Sequence, residues 1–378
     1  MLFLPFPLLL SWLFTVLSLA VLGGGLYLLW AWYVGVVVGT VYLTAGAAMT
    51  LWSLAGRWIV LYVFRRAGSD EPRALRPDTV QRLERPDGTN LYVTTYGRPD
   101  APPVVFTHGA GNNSTAWYYA QRHLAARFRV IVWDLPGLGR TTGPRNHDYS
   151  LDKHARDLEA ILAFAGGSPA VLVGHSLGGM IVQTFCRLFP ERLGRDVVGL
   201  VLVDTSPTNP VRTTTASGLA RAIQKPLLEP LLHVVIGLSP LLQLLNWLGY
   251  LNGTVHVGAS LTGFAGTETR GQLDLAARYS PLAPPAVLAR ETLAMFRYDA
   301  TAVLPTLPVP VLVVTGHLDR LIVPATSRWL CDAIPRAELL VLEPAGHQGI
   351  FEQHEPFIDA LDTFCARLTA AHAPAPKA

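Results

Sequence analysis

From Met1 to Phe64 the chain shows neither the alternation of a strand nor the polar face of a surface helix; it is apolar almost throughout. No Asp, Glu, Lys or Arg occurs before Arg57. A helical membrane span needs about 20 such residues. The stretch therefore predicts two spans, Leu8 to Trp30 and Val34 to Phe64, within a transmembrane region of residues 1–66. A break at Gly23-Gly24-Gly25 would instead give three shorter passes. The run is far longer than a signal peptide's apolar region and lacks its charged leader. Trp30, Trp32, Tyr33, Trp52, Trp58 and Tyr62 suit the membrane–water interface, where amphipathic rings collect. Gly35, Gly39 and Gly46 are expected to let the two helices pack closely.

The pattern changes after a polar linker at residues 67–78. Apolar runs of strand length follow at Asn90–Tyr96, Pro103–Thr107, Val130–Trp133, Ala170–Val173, Val198–Asp204, Val311–Thr315 and Leu339–Leu342. Helical periods fall between them, at Leu151–Ala165 for example, and a last one runs from Pro356 to Ala371. Continuous apolar strands alternating with helices argue for a mainly parallel sheet covered on both faces. The alternation holds over residues 79–205 and 305–372 and fails over 206–304. That segment starts basic (Arg212, Arg221, Lys225), turns very apolar from Leu227 to Leu251, and carries Pro226, Pro230 and Pro240, which should cut it into short helices. The Pro/Ala-rich tail at 373–378 is expected to be loose.

One stretch organises the rest: Ala170-Val-Leu-Val-Gly174-His175-Ser176-Leu177-Gly178-Gly179, followed by a helical face at Met180-Ile181, Thr184-Phe185 and Leu188-Phe189 that Pro190 ends. Ser176 thus sits on a sharp strand-to-helix turn, flanked by glycines that let strand and helix pass closely. The turn pushes its hydroxyl outward, and the helix N-terminus points free N–H groups at any negative charge forming there. With this Gly-x-Ser-x-Gly elbow, residues from about 78 to 372 resemble the α/β-hydrolase superfamily. The resemblance implies a mostly parallel eight-stranded sheet with helices on both faces, and a helical lid inserted after the sixth strand, here residues 206–304.

Composition and charge narrow the partners. Hydrophobic residues make up 50% of the chain and charged ones 15%, with the deficit of charge concentrated at the amino-terminal end. A net charge of +3, scattered along the chain, gives no reason to expect nucleic acid. Cys186, Cys331 and Cys365 lie far apart with no metal-ligand spacing, which suits reduced core thiols and a cytosolic compartment. No metal or cofactor is expected: the Gly137-x-Gly139 and Gly178-Gly179 pairs do not make a dinucleotide fingerprint. Arg57, Arg65, Arg66, Arg73 and Arg76 cluster where the chain leaves the lipid, which puts the catalytic domain on the cytoplasmic side and, with two spans, the amino terminus too.

A serine hydroxyl needs a base to take its proton and a carboxylate to orient that base. The resemblance implies the chain order serine, acid, histidine. Two loops fit it: Val311-Leu-Val-Val-Thr315-Gly-His317-Leu-Asp319 and Leu339-Leu-Val-Leu-Glu343-Pro-Ala-Gly346-His347. Ser176 is expected as nucleophile, His347 as general base and acid, and Asp319 as orienting carboxylate. The oxyanion is assigned to the backbone N–H groups of Leu177 and of Ala110, in the loop His108-Gly109-Ala110-Gly111. Rivals are His354 and His317 for the base and Asp204 for the acid; Glu343, His175 and Asp134 read as structural. The leading function is a membrane-anchored serine hydrolase that cleaves an ester with a lipophilic acyl group, its partners being that substrate and the bilayer. A serine at the elbow disfavours epoxide hydrolases and haloalkane dehalogenases, whose nucleophile is Asp. Cofactor-free haloperoxidase or perhydrolase chemistry, carbon–carbon bond hydrolysis, and a non-catalytic membrane-tethered ligand sensor are the alternatives.

Overall fold

The computed structural model describes residues 5–213 and 217–371. The loose tail expected at 373–378 lies outside them. Eight strands form one sheet: β1 (Thr79–Glu84), β2 (Asn90–Tyr96), β3 (Pro103–Thr107), β4 (Arg129–Trp133), β5 (Ala170–His175), β6 (Val197–Val203), β7 (Val311–Gly316) and β8 (Ala337–Leu342). Their spatial order is β1-β2-β4-β3-β5-β6-β7-β8. β1/β2 and β2/β4 pair antiparallel and every other neighbour parallel. The middle strands β3, β5, β6 and β7 are buried along their whole length, which is why they read as unbroken apolar runs. β1 carries no such run because it is an exposed edge strand.

Helices cover both faces. α4 (Leu151–Phe164), α5 (Leu177–Leu188) and α12 (Pro324–Ala333) close one side with Leu158, Ile161, Met180, Phe185 and Leu330. α3 (Tyr118–Leu124) and α14 (His354–Ala371) close the other with Leu124, Phe357, Leu361 and Phe364. A single turn, α13 (Gly349–Glu352), precedes α14. Between β6 and β7 come, among the described residues, six α-helices: α6 (Ser217–Ile223), α7 (Glu229–Gly237), α8 (Ser239–Asn252), α9 (Thr254–Gly263), α10 (Arg270–Leu282) and α11 (Pro285–Met295). Of the three prolines expected to cut this insertion only Pro240 does, in the first turn of α8 after an 87° bend. Pro226 lies in a π-helical turn, Gln224–Leu228, that joins α6 to α7 as one continuous helix, and Pro230 follows within it.

At the amino terminus, α1 (Pro5–Tyr33) and α2 (Thr40–Phe64) form a hairpin of two helices long and apolar enough to cross a membrane. α1 runs unbroken through Gly23-Gly24-Gly25, so the break that would divide this region into three shorter helices is absent. Of the three glycines expected to let the two helices pack closely, only Gly46 does so. Gly35 and Gly39 lie in the connecting turn at φ 78° and 121° with open space around them. Gly25 and Gly46 meet instead: a Cβ on Gly46 would lie 3.0 Å from the Gly25 carbonyl oxygen, and one on Gly25 2.8 Å from Thr50 Oγ1.

The hairpin is joined to the insertion. α8 and α9 pack against both α1 and α2. A Cβ on Gly56 of α2 would lie 2.6 Å from the Asn252 carbonyl oxygen, and Gly253, at φ 90°, sits under Val60. The segment expected as a linker is pinned as well: Glu71 accepts from the Gly271 N–H at 2.9 Å and the Thr269 hydroxyl at 2.7 Å, capping the start of α10.

Candidate active site

Ser176 lies between the last residue of β5 and the first of α5, at φ 54° and ψ −118°. A side-chain-bearing residue in that region costs on the order of 1–3 kcal/mol, held in place by its surroundings. Here the Ser176 N–H donates to the Val203 carbonyl at 2.9 Å and the Thr205 hydroxyl to the Ser176 carbonyl at 2.7 Å. The flanking glycines are required by contact. A Cβ on Gly174 would overlap the Gly178 carbonyl, and one on Gly178 would overlap the Thr107 carbonyl. The loop after β3 passes against the elbow, since a Cβ on Gly109 would lie 3.1 Å from Ser176 Cβ. Among the described residues, neither the Ala110 N–H nor the Leu177 N–H has an acceptor within the protein. Two free donors thus flank a half-buried hydroxyl.

Asp319 stands in the loop between β7 and α12, its side chain fully buried. One carboxylate oxygen accepts from the Leu321 and Ile322 N–H groups at 2.7 and 3.0 Å. The other accepts from His347 Nδ1 at 2.7 Å, which leaves Nε2 as the ring's free nitrogen. His347 is drawn to the elbow by its backbone: His175 Nε2 donates to the His347 carbonyl at 2.9 Å, with the two rings 4.9 Å apart. Its loop is clasped from the other side. Glu352 accepts from the Gly346 N–H at 2.7 Å and, through its second oxygen, from the Ala265 N–H at 2.8 Å. The Gln348 N–H donates to the carbonyl of Gly263, the last residue of α9, at 2.8 Å.

The charges of the site follow from burial and neighbours. Burial draws the His347 imidazole down, but the Asp319 carboxylate bonded to it, and Asp204 nearby, push it further up, so it ends above its usual 6.5. His175 goes the other way: burial, and then the neighbouring His347, pull it to about 3, so it is neutral when it donates from Nε2. Burial, reinforced by the charge of Asp319, raises the Asp204 carboxyl well above the usual carboxylate range.

The other residues weighed in the sequence have distinct places. Asp204 ends β6 at φ 44° and spends one oxygen on the Gly316 N–H at 2.9 Å, next to the Asp319–His347 pair but without a hydrogen bond to the histidine. His354 stacks on Tyr119 at 3.7 Å at the start of α14. His317 follows β7, its N–H donating to the Leu342 carbonyl at 3.1 Å. Asp134 accepts from the Ser114 and Arg140 N–H groups and fixes its Pro-Gly turn, against which Gly139 is pressed. His108 accepts from the Leu135 N–H at 3.0 Å, holding its loop from beneath. Glu352 carried no signal in the sequence: it is a lone carboxylate on a one-turn helix, and only folding brings it under the histidine loop.

The profile of the Alpha/beta hydrolase family matches residues 104–360. Among curated proteins, polyketide synthase ThaQ of Burkholderia thailandensis is 30% identical over 314 residues; these take in 76% of this chain and 13% of that much longer protein. Pimeloyl-(acyl-carrier protein) methyl ester esterase of Aeromonas hydrophila is 28% identical over 268 residues, 70% of this chain and 95% of that one. Among solved structures, a thermophilic esterase from Thermogutta terrifontis superposes with a TM-score of 0.61 at 23% identity, covering 76% of this chain and 99% of its own. The chain therefore belongs to the alpha/beta hydrolase family, as a hydrolase with esterase-like relatives.

Proposed function

We propose that the protein is a membrane-anchored serine hydrolase that cleaves a carboxylic ester with a lipophilic acyl group through an acyl-enzyme. The observation that carries this reading is the 2.7 Å bond from His347 Nδ1 to a buried Asp319, on a loop tied by His175 to the residue beside Ser176. In this reading His347 Nε2 takes the Ser176 proton as Oγ bonds to the ester carbonyl carbon. The oxyanion rests on the Ala110 and Leu177 N–H groups, each such donor being worth about 3 kcal/mol in the transition state. Collapse expels the alcohol, which takes the proton from His347. Water, deprotonated by the same imidazole, then attacks the acyl-enzyme and releases the acid, returning the proton to Ser176. Asp319 stays ionised and stabilises the imidazolium.

The esterase of Aeromonas hydrophila supports an ester as substrate. The two apolar helices and the apolar insertion, read as a lid of residues 206–304, favour a lipophilic acyl chain. The arginine cluster at the exit of α2 favours a cytoplasmic catalytic domain, with the hairpin starting and ending on that side. A fluorophosphonate probe tests the mechanism. The wild type should be labelled and Ser176→Ala should not; an unlabelled wild type would leave a non-catalytic sensor.

A further inference from the structure

We infer that the exposed face of α7, α8 and α9 is a lipid-embedded surface, lying in the leaflet beside the α1–α2 hairpin, so that the lid draws its substrate from that leaflet. The inference rests on the membrane-anchored reading above and specifies where the bilayer meets the catalytic domain.

The first observation is chemical. Between Glu229 and Glu268 the chain contains no Asp, Glu, Lys or Arg. Val234, Leu238, Leu241, Leu244, Trp247 and Leu261 are each exposed by roughly half, from 42% to 66%. Leu241, Leu244 and Trp247 recur every three residues and are exposed along one side of α8, while Leu242 and Tyr250 face elsewhere and are buried. The polar side chains Gln243 and Asn246 of α8 are spent on the Pro281 and Ser280 carbonyls of α10, and a contiguous apolar patch on this scale marks a contact surface.

The second is geometric, and it selects the bilayer as occupant. The patch is continuous with the hairpin, since α8 and α9 pack on both α1 and α2, whose own outer side chains Leu51, Trp52 and Leu54 are likewise exposed. The segment Gly218–Gly237 plus Ser239–Asn252 is apolar enough for a span but turns through 87° at its middle. A bend of that size makes it dip into a leaflet and return.

The third is the polar boundary. Arg57, the first charged residue of the chain, has its guanidinium 4.6 Å from the Trp58 ring and 4.7 Å from the Tyr250 ring, so α8 screens it from lipid. Further on, Arg65 bonds Glu268 at 2.8 Å and Ser260, and Arg270 reaches the Leu61 carbonyl at 3.2 Å. These groups mark the water side at the level where α9 ends, and Gly263 at that end holds the loop of His347. The lid thus lies between the leaflet and the catalytic histidine.

The test uses the full chain in phosphatidylcholine/phosphatidylglycerol nanodiscs. Cys186 and Cys365 are buried and Cys331 is partly exposed, so Cys331→Ser gives a background for single nitroxide labels. Labels go on Leu241→Cys, Leu244→Cys, Leu54→Cys in α2 and Arg156→Cys, an exposed position on α4. In power saturation, Leu241 and Leu244 should follow Leu54 in favouring oxygen over a nickel chelate, and Arg156 should do the reverse. Water-like labels at 241 and 244 beside a lipid-like label at 54 would overturn this inference and leave the anchor standing. A water-like label at 54 would overturn both. In activity, Leu241→Asp/Leu244→Asp should lose at least tenfold on a long-chain ester held in the bilayer and stay within twofold on p-nitrophenyl acetate. Equal effects on the two substrates would also overturn it.

Discussion

The elbow region and the helical insertion, separated in the chain by α5 and β6, are stabilised in opposite ways. Around Ser176 the turn's own N–H and carbonyl are both bonded, the strand before it is wholly buried, and backbone atoms approach so closely that only glycine fits at Gly174 and Gly178. In α7–α9 the polar groups are few and the outer side chains are apolar and exposed; α8 and α9 are positioned by the amino-terminal hairpin and α10, and α7 by α11. The difference teaches that a reaction geometry is fixed by tight packing, where small displacements cost rate. A substrate-gathering surface needs only the right solvent and a firm attachment.

That contrast can be broken at the core first. Asp319→Asn should lower kcat by roughly 10⁴, since the imidazole loses the acceptor that sets its tautomer. Its pH profile is equally diagnostic. His347 must be neutral to act as base, so activity is lost as pH falls through its pKa. With Asp319 present that pKa lies above 6.5, and the acid limb of kcat/KM in the wild type should have its midpoint there. In Asp319→Asn the midpoint should move to lower pH; an unmoved limb would show that another group titrates.

The junction comes next. Gly56→Leu places a side chain against the Asn252 carbonyl, which a Cβ alone would approach to 2.6 Å. Overpacking of this kind costs about 1–3 kcal/mol. Tm should drop by a few degrees, with p-nitrophenyl acetate hydrolysis within twofold of wild type in nanodiscs. A comparable loss of soluble-ester activity would mean that the hairpin shapes the catalytic core itself. The smallest effect is expected at Asp204→Asn. The amide keeps an acceptor for the Gly316 N–H and removes a carboxylate that burial already disfavours, so kcat should stay within tenfold. A loss as large as that of Asp319→Asn would make Asp204 the orienting acid.

The elbow was legible in the sequence because its geometry demands particular residues: small ones where backbones touch, an unbroken apolar run before them, and a helical period after. The parallel strands were legible because burial on both faces forces continuous Val, Ile and Leu. β1 left no such trace, being an exposed edge strand whose side chains are mostly in solvent. The glycines of the hairpin show the limit of composition. Gly35 and Gly39 lie in a turn while Gly25 and Gly46 meet, since which glycine faces a partner depends on helix phase and on where the turn falls.

The sequence by itself determined the nucleophile turn, the order of the strands along the chain and the apolar character of its first helices, all local consequences of backbone sterics and water's rejection of apolar surface. Only the tertiary structure decided that Glu352 and Gly263 would hold the histidine loop, that His175 would tie it to the elbow, and that α8 would rest on α2 through Gly56 and Asn252. Those contacts join residues far apart in the chain. The bare spacing of a sequence carries no record of which distant surfaces will be brought within a few ångströms.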